Sequence, residues 1–345
     1  MKKLSICIFF AFLSISCKEK ETEKVTPKPI IEEPEVSNFA KGADVGWITQ
    51  MEASGRKFYS SSGSETEGIT LLKSLGMNTI RLRVWVNPTP AYNNTADVVA
   101  KALRAKNLGM RIMIDFHYSD SWADPGKQTK PAAWVGQDLE GLKTSISNHT
   151  TQVLTELKNN GITPEWVQVG NETNDGMLWP EGRASTNMKN FSEMVNSGYD
   201  AVKLVFPTAK VIVHISNGWD NGLFRYLFDG LKVNGGKYDV IGMSLYPNPT
   251  NWASFNNQCL TNMNDMVARY NKDVMIVEIG MSWDSADDSK LFIADIITKT
   301  KSIAGEKGLG VLYWEPLSYN NWQGYTLGAL DNSGKPTVAL DVFAD

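Results

Sequence analysis

The chain has 345 residues, 42 % of them hydrophobic and 21 % charged, which is ordinary globular composition with length enough for a large core. Its net charge of −4 argues against a polyanion partner, so no nucleic acid is expected. Tryptophan is abundant at 11 residues and asks for either a heavy core or a stacking surface.

The N-terminus does not read as fold. Met1-Lys2-Lys3 is a short basic start, and Leu4 to Ile15 is an apolar run too short to span a bilayer as a stable helix. Ser14-Ile15-Ser16-Cys17 then places small residues before a cysteine. Residues 1–16 resemble a bacterial lipoprotein signal, cleaved ahead of Cys17, which then carries the lipid. Leu13 stands four residues before the cysteine, where three is usual, and an ordinary secretory signal is the alternative. Residues 17–37 mix charge and proline with few large apolar side chains and read as a solvated tether. The expected location is the outer membrane, with the protein held by its lipid alone and possible display at the cell surface; a periplasmic or secreted protein is the alternative. Cys259 stands alone in a helical stretch, so it reads as a small buried hydrophobe and no disulfide framework is expected.

Residues 38–345 read as one domain in which short apolar runs alternate with longer amphipathic ones. Strands are expected at 41–46, 79–84, 111–116, 166–170, 210–215, 239–245, 274–279 and 309–313. Several are near-continuous aliphatic runs, as strands buried on both faces should be. Helical patterns begin with "ETEGITLLKSLG" and "TADVVAKALRAKNLG", each stopping at a glycine, and continue at 138–160, 186–205, 220–232, 255–271 and 287–305. Eight β-then-α units in series favour a closed (β/α)8 barrel, an α/β TIM barrel, over an open sheet. The nucleotide-binding glycine motifs are missing, which weakens the open-sheet option further.

In such barrels chemistry sits on the loops that follow the strands. Trp47, Trp85, Trp122, Trp179, Trp219, Trp252, Trp283 and Trp314 follow the eight strands in turn. Trp134 and Trp322 fall in the third and eighth loops, and only Trp166 lies at the other end of a strand. Flat apolar walls around a cleft suit the C–H faces of sugar rings, with about half of these rings expected to plug loops instead. Asp44, Arg83, Asp115, His117, Asn171, Glu172, His214, Tyr246 and Glu278 gather at the same rim. That density of hydrogen-bonding groups suits a polyhydroxylated ligand. Glu172 and Glu278 each end an apolar run on opposite sides of the expected barrel mouth, the arrangement glycoside hydrolysis requires. Asp115, His117 and His214 could instead be metal ligands. No H-x-H or H-E-x-x-H spacing is present, so hydrogen bonding to carboxylates or sugar hydroxyls is the expected role of both histidines.

"GNET", "SLYP", "VEIG" and "YWEP" at strands 4, 6, 7 and 8, with Arg83 at strand 2, resemble the large clan of retaining (β/α)8 glycosidases. "RLRVWVNP" and "DFHYSDSWADPGKQTKPAAW" are similar to glycoside hydrolase family 53, the endo-β-1,4-galactanases, and the resemblance runs from about Phe39 to the closing "LDNSGKPTVAL". It implies a retaining endo-acting hydrolase of β-1,4-galactan, with Glu172 as acid/base and Glu278 as nucleophile. By the same resemblance Asn171 binds the 2-hydroxyl, Arg83 supports the nucleophile, Tyr246 hydrogen-bonds Glu278 and Trp314 floors the cleavage subsite. Asp44, Trp85, Asp115, His117, Trp122, His214, Trp283 and Trp322 complete the expected substrate-binding set. Some family members carry calcium in long loops after strands 7 and 8. Here "GMSWDSADDSK" is short, though it offers Asp284, Asp287 and Asp288, and no cofactor is expected. A monomer is expected. The alternatives are a glucanase or mannanase of the same clan, a glycan-binding lipoprotein without chemistry, and a metal-dependent barrel hydrolase.

Palmitate labelling checks the anchor. The label should be present on the expressed protein and absent from Cys17→Ala; label that survives the substitution contradicts a lipid at Cys17.

Overall fold

The computed structural model describes Met1 and residues 38–344, so the expectations for the signal, the tether and Cys17 lie outside the described residues. Eight parallel strands close into a barrel in chain order. They are β1 Ala40–Asp44, β2 Thr79–Val84, β3 Arg111–Phe116 and β4 Trp166–Val169, followed by β5 Lys210–Ile215, β6 Val240–Leu245, β7 Asp273–Ile279 and β8 Gly308–Tyr313. Each expected strand is present, and no bound differs from expectation by more than two residues. Near-continuous burial along β2, β6 and β7 explains their apolar sequences: one face fills the barrel and the other packs under helices.

Helices α1 Ile48–Ala53 and α2 Gly68–Ser74 follow β1, and α3 Thr95–Asn107 follows β2. Then come α4 Leu139–Asn159, α5 Ala184–Val205, α6 Asn221–Val233, α7 Trp252–Tyr270 and α8 Ala286–Lys301, one after each of β3 to β7. Starts are set locally: the side chains of Glu67, Asn94, Asp138 and Asp220 accept backbone N–H groups at the first turns of α2, α3, α4 and α6. The eighth unit differs from the others. After β8 the chain makes two short 3-10 turns, Trp322–Gly324 and Val338–Phe343, and the second packs against α8 in place of a long helix. Asp331 shapes the approach to that turn, because its Oδ1 accepts the N–H groups of Ser333 and Lys335. Helix α1 and the small hairpin Phe58–Tyr59 with Glu65–Thr66 were too short to show as periodic patterns.

The floor of the barrel interior is a separate apolar cluster of Ala40, Met113, Trp166, Ile212, Val240, Met275, Val277 and Leu312. Trp166 is its largest member, and the Arg111 guanidinium lies 4.4 Å from its ring. This plug makes the barrel a packed core rather than a pore, so polar chemistry is confined to the layer above it. The main core, which includes buried Cys259, lies between the strands and the helices. Among the described residues no helix is long and apolar enough to cross a membrane.

Candidate active site

Strand pairing places Asp44 beside Arg81, Arg83 beside Asp115 and Ser244 beside Glu278. At the centre of this layer is Arg81, fully buried on β2. Its Nη1 donates to both Asp44 oxygens at 3.1 Å and to Glu278 Oε1 at 2.8 Å. Its Nη2 donates to Gln168 Oε1 at 2.9 Å and Asn171 Oδ1 at 3.1 Å, and lies 3.0 Å from Asp115 Oδ2. One cation thus serves three carboxylates. Burial drives the Asp44 carboxyl well above the ordinary carboxylate range, against the pull of Arg81, and the charges of Glu278, Glu315 and Asp115 push the same way. A protonated Asp44 relieves part of the excess negative charge.

Glu278 takes a second donor, the Tyr246 hydroxyl, at 2.8 Å from Oε2. Gly280 lets that tyrosine approach: a Cβ there would stand 2.9 Å from the rings' edge atoms, Tyr246 Cε1 and the Tyr325 hydroxyl. Across the mouth, Glu172 sits at φ 45°, in the left-handed region that a non-glycine residue occupies only under constraint. The constraint is visible. Gln128 Nε2 donates to the Asn171 carbonyl at 2.8 Å, and the Thr173 N–H donates to the His214 carbonyl at 2.9 Å. Ser244 donates from its hydroxyl to Glu172 Oε1 at 2.7 Å. Burial, and then the charge on Glu278, push the Glu172 carboxyl up to about 8, while Ser244 and Arg81 pull the other way.

His117 and Asp115 form the third side. The Ala123 N–H donates to His117 Nδ1 at 3.1 Å, so the ring's own N–H is on Nε2, 3.0 Å from Asp115 Oδ2. That hydrogen bonding uses both ring nitrogens. Among the described residues no group of three or more His, Cys, Asp or Glu could hold a metal ion, and Asp287 and Asp288 lie in the first turn of α8.

Beside the carboxylates stands an aromatic wall. Trp47 packs against Trp122 and Trp314 with centroids 5.6 and 5.1 Å apart, and Trp122 against Trp85 at 5.1 Å. These rings surround the Arg83 guanidinium, which lies 4.4 Å from the Trp122 ring and within 5.9 Å of the other three. Arg83 is buried and pairs with Glu315, which also accepts the Trp47 N–H at 3.1 Å. Gly46 makes room, since a Cβ there would lie 2.3 Å from the guanidinium. A cavity of about 530 Å³ opens on this wall, lined by Trp47, Trp85, Trp122, Trp314, Tyr92 and Tyr325 among others.

The structure therefore corrects several sequence expectations. Arg81, not Arg83, touches Glu278; both face inward, but Arg83 is two residues nearer the rim, where Glu315 and the indoles already enclose it. Arg83, Asp44, Asp115 and His214 are at most 1 % exposed, so they lie beneath the cleft rather than in contact with a ligand there. His117 and Asn171 are buried at 4 % and 5 %, close under it. Trp85, Trp122 and Trp314 line the cavity. Trp283 and Trp322 do not; the Trp283 N–H holds the Thr326 carbonyl, and the Trp322 ring is covered by Arg56. Trp134 is buried against Tyr118 and His149, and so plugs a loop. Arg81, Gln168, Ser244, Glu315 and Tyr325 were not singled out from the sequence, although "YWEP" and "SLYP" contain two of them.

The sequence profile for glycosyl hydrolase family 53 matches residues 40–343. An arabinogalactan endo-β-1,4-galactanase of Thermothelomyces thermophilus is 31 % identical over 331 residues, covering 88 % of this chain and 98 % of its own. A solved fungal β-1,4-galactanase superposes with a TM-score of 0.82 at 29 % identity, covering 88 % of this chain and 98 % of that one. The GH53 catalytic domain of Ignisphaera aggregans gives a TM-score of 0.81 at 28 % identity, covering 92 % and 98 %.

Removing the counter-charge from the tryptophan cage should be costly. Glu315→Ala leaves the Arg83 cation buried without a partner and is expected to lower the unfolding free energy by about 3–5 kcal/mol. Urea denaturation followed by tryptophan fluorescence measures this; a loss below about 1 kcal/mol would mean the guanidinium is rehydrated or otherwise satisfied.

Proposed function

The chain belongs to glycosyl hydrolase family 53, and on that premise we propose that it is an endo-β-1,4-galactanase acting with retention through Glu172 and Glu278. The observation that carries the residue assignment is the different environment of the two acids. Glu278 is held by two donors, Arg81 and Tyr246, which fix a carboxylate in place for attack. Glu172 takes a single hydroxyl donor among the described residues and is pushed up to about 8, which keeps its proton available near neutral pH.

In this mechanism Glu278 attacks the anomeric carbon while Glu172 gives its proton to the leaving oxygen. Charge on Glu278 disappears as the glycosyl ester forms, which removes one of the causes that raise Glu172, leaving burial and the weaker push of Asp124. The ionised Glu172 then takes a proton from the water that releases the sugar. The wall of Trp47, Trp85, Trp122 and Trp314 offers flat apolar faces for neighbouring galactose rings, with the cavity as their path. No cofactor enters the mechanism, and the protein acts as a monomer. The lipid at Cys17 belongs to the same proposal and would tether the barrel to the outer membrane.

Substitution separates the two roles. Glu278→Ala should abolish galactan hydrolysis. Glu172→Ala should lose galactan hydrolysis by about 10²–10⁴-fold yet retain the first step on aryl galactosides whose leaving groups need no proton. Equal loss on both substrates contradicts the division of labour, and cleavage of glucan or mannan in preference to galactan contradicts the substrate.

The proton on Glu172 also sets a pH limit. Its raised value means the acid form is complete well below pH 8 and is lost as pH rises, so kcat/KM on galactan should fall through about pH 8. A profile that stays flat well beyond that point contradicts Glu172 as the acid.

A further inference from the structure

We propose that Ser244, directed by His214, is the positioning residue that keeps the acid proton of Glu172 on Oε2, the oxygen that takes no hydrogen bond from the described residues. The inference rests on the proposed role of Glu172 and adds a directed chain of hydrogen bonds behind it.

The chain starts at Gln168, whose amide orientation is fixed at both ends. Its oxygen accepts from Arg81 Nη2 at 2.9 Å, and its nitrogen donates to Asp115 Oδ1 at 2.6 Å. The same nitrogen has a second hydrogen, and His214 Nδ1 lies 3.1 Å away. Once Nδ1 accepts that hydrogen, the ring's own N–H must be on Nε2. His214 Nε2 is 2.7 Å from Ser244 Oγ, and Ser244 Oγ is 2.7 Å from Glu172 Oε1. A serine hydroxyl has one hydrogen, so accepting from His214 commits it to donate to Glu172. Oε1 is then an acceptor whether Glu172 is charged or neutral. A proton on Glu172 has only Oε2 to occupy, and Oε2 takes no protein hydrogen bond among the described residues.

The reverse polarity fails in one half of the reaction. His214 Nδ1 also lies 3.0 Å from Asn171 Oδ1, and an N–H there would leave Nε2 bare. Ser244 would then donate to His214 and face Oε1 with lone pairs. Ionised Glu172, needed to activate water, would meet an acceptor at 2.7 Å, and protonated Glu172 would hold its proton on Oε1, away from the sugar. Asn171 Oδ1 has no need of that hydrogen, because Arg81 Nη2 already donates to it at 3.1 Å. Asn171 is held in that orientation by its own Nδ2, which donates to the Ala123 carbonyl at 2.8 Å.

The surroundings keep His214 out of the proton chemistry. It is fully buried, and burial, then Arg81, then His117 all hold its imidazolium form well below the usual histidine range. The charged and titratable groups facing Glu172 are Glu278 on β7, Arg81 on β2, Asp124 in the loop after β3 and Tyr246 after β6. Among the described residues Ser244 alone hydrogen-bonds Oε1.

Two measurements test the chain. In the intact wild-type protein, ¹⁵N-histidine NMR should show His214 with its hydrogen on Nε2; a hydrogen on Nδ1 overturns the proposal. Ser244→Ala should lower kcat/KM on galactan at least about tenfold while an aryl galactobioside with a good leaving group loses less than about threefold. Loss of a donor to the carboxylate raises Glu172, so the alkaline limb of the variant should move to higher pH. Ser244→Thr, which keeps the hydroxyl, should restore both. Equal loss on the two substrates, an unmoved limb or no rescue by threonine overturns the inference. Failure of the underlying reading is distinguishable, because it would show as Glu172→Ala retaining galactan hydrolysis whatever Ser244 does.

Discussion

One buried cation organises the polar layer of this barrel. Among the described residues Arg81 alone touches Asp44, Asp115, Glu278, Gln168 and Asn171 at once. A guanidinium suits the position because its planar fork delivers hydrogen bonds in fixed directions and it cannot lose its charge there. Three carboxylates in a dry interior would otherwise repel one another and take up protons. With Arg81 between them, Glu278 is oriented from below by one donor and from the side by Tyr246, while burial and the neighbouring carboxylates favour a proton on Asp44, which relieves the excess negative charge. Removing Arg81 would therefore disturb more than one side chain.

The second arginine two residues on has a different task. Arg83 is enclosed by Trp47, Trp85, Trp122 and Trp314 and neutralised by Glu315. Indole faces satisfy a cation without offering hydrogen bonds, so the guanidinium stiffens the rings rather than competing with a ligand. Its Nε and Nη2 have no hydrogen-bond partner among the described residues, which fits a group held by ring faces on most sides. Glu315 is itself at φ 48° and takes the Trp47 N–H, so the ion pair also fixes the backbone from which two of the four rings project.

Much of this was legible in the sequence because it rests on periodicity. Aliphatic runs marked all eight strands, and tryptophans followed each of them at the rim. Glu172 and Glu278 were visible as carboxylates that end apolar runs. What failed was depth. Arg81 and Arg83 both face inward by the two-residue period of a strand, and the sequence holds no signal for which one meets Glu278. The register that sets Asp44 beside Arg81, and the positions of Glu315 and the indoles, decide it. The same lack of depth led Asp44, Asp115 and His214 to be read as ligand contacts, when they support the residues above them. Ser244 and Gln168 were invisible for another reason: a serine and a glutamine inside apolar strands look like tolerated polar residues until their partners are placed.

Strain and direction then combine at Glu172. A left-handed backbone at a glutamate is costly, of order 1–3 kcal/mol, and persists only where neighbours over-determine it. Gln128, Thr173 and the carbonyl of His214 supply that determination for the main chain. Ser244 supplies it for the side chain, through the same histidine. His214 thus restrains the residue twice: its carbonyl holds the loop after β4, and its ring directs the hydroxyl that meets Oε1. A single β5 residue linking the main-chain position of the acid to the orientation of its carboxyl explains why a fully buried histidine occupies the middle of the polar layer.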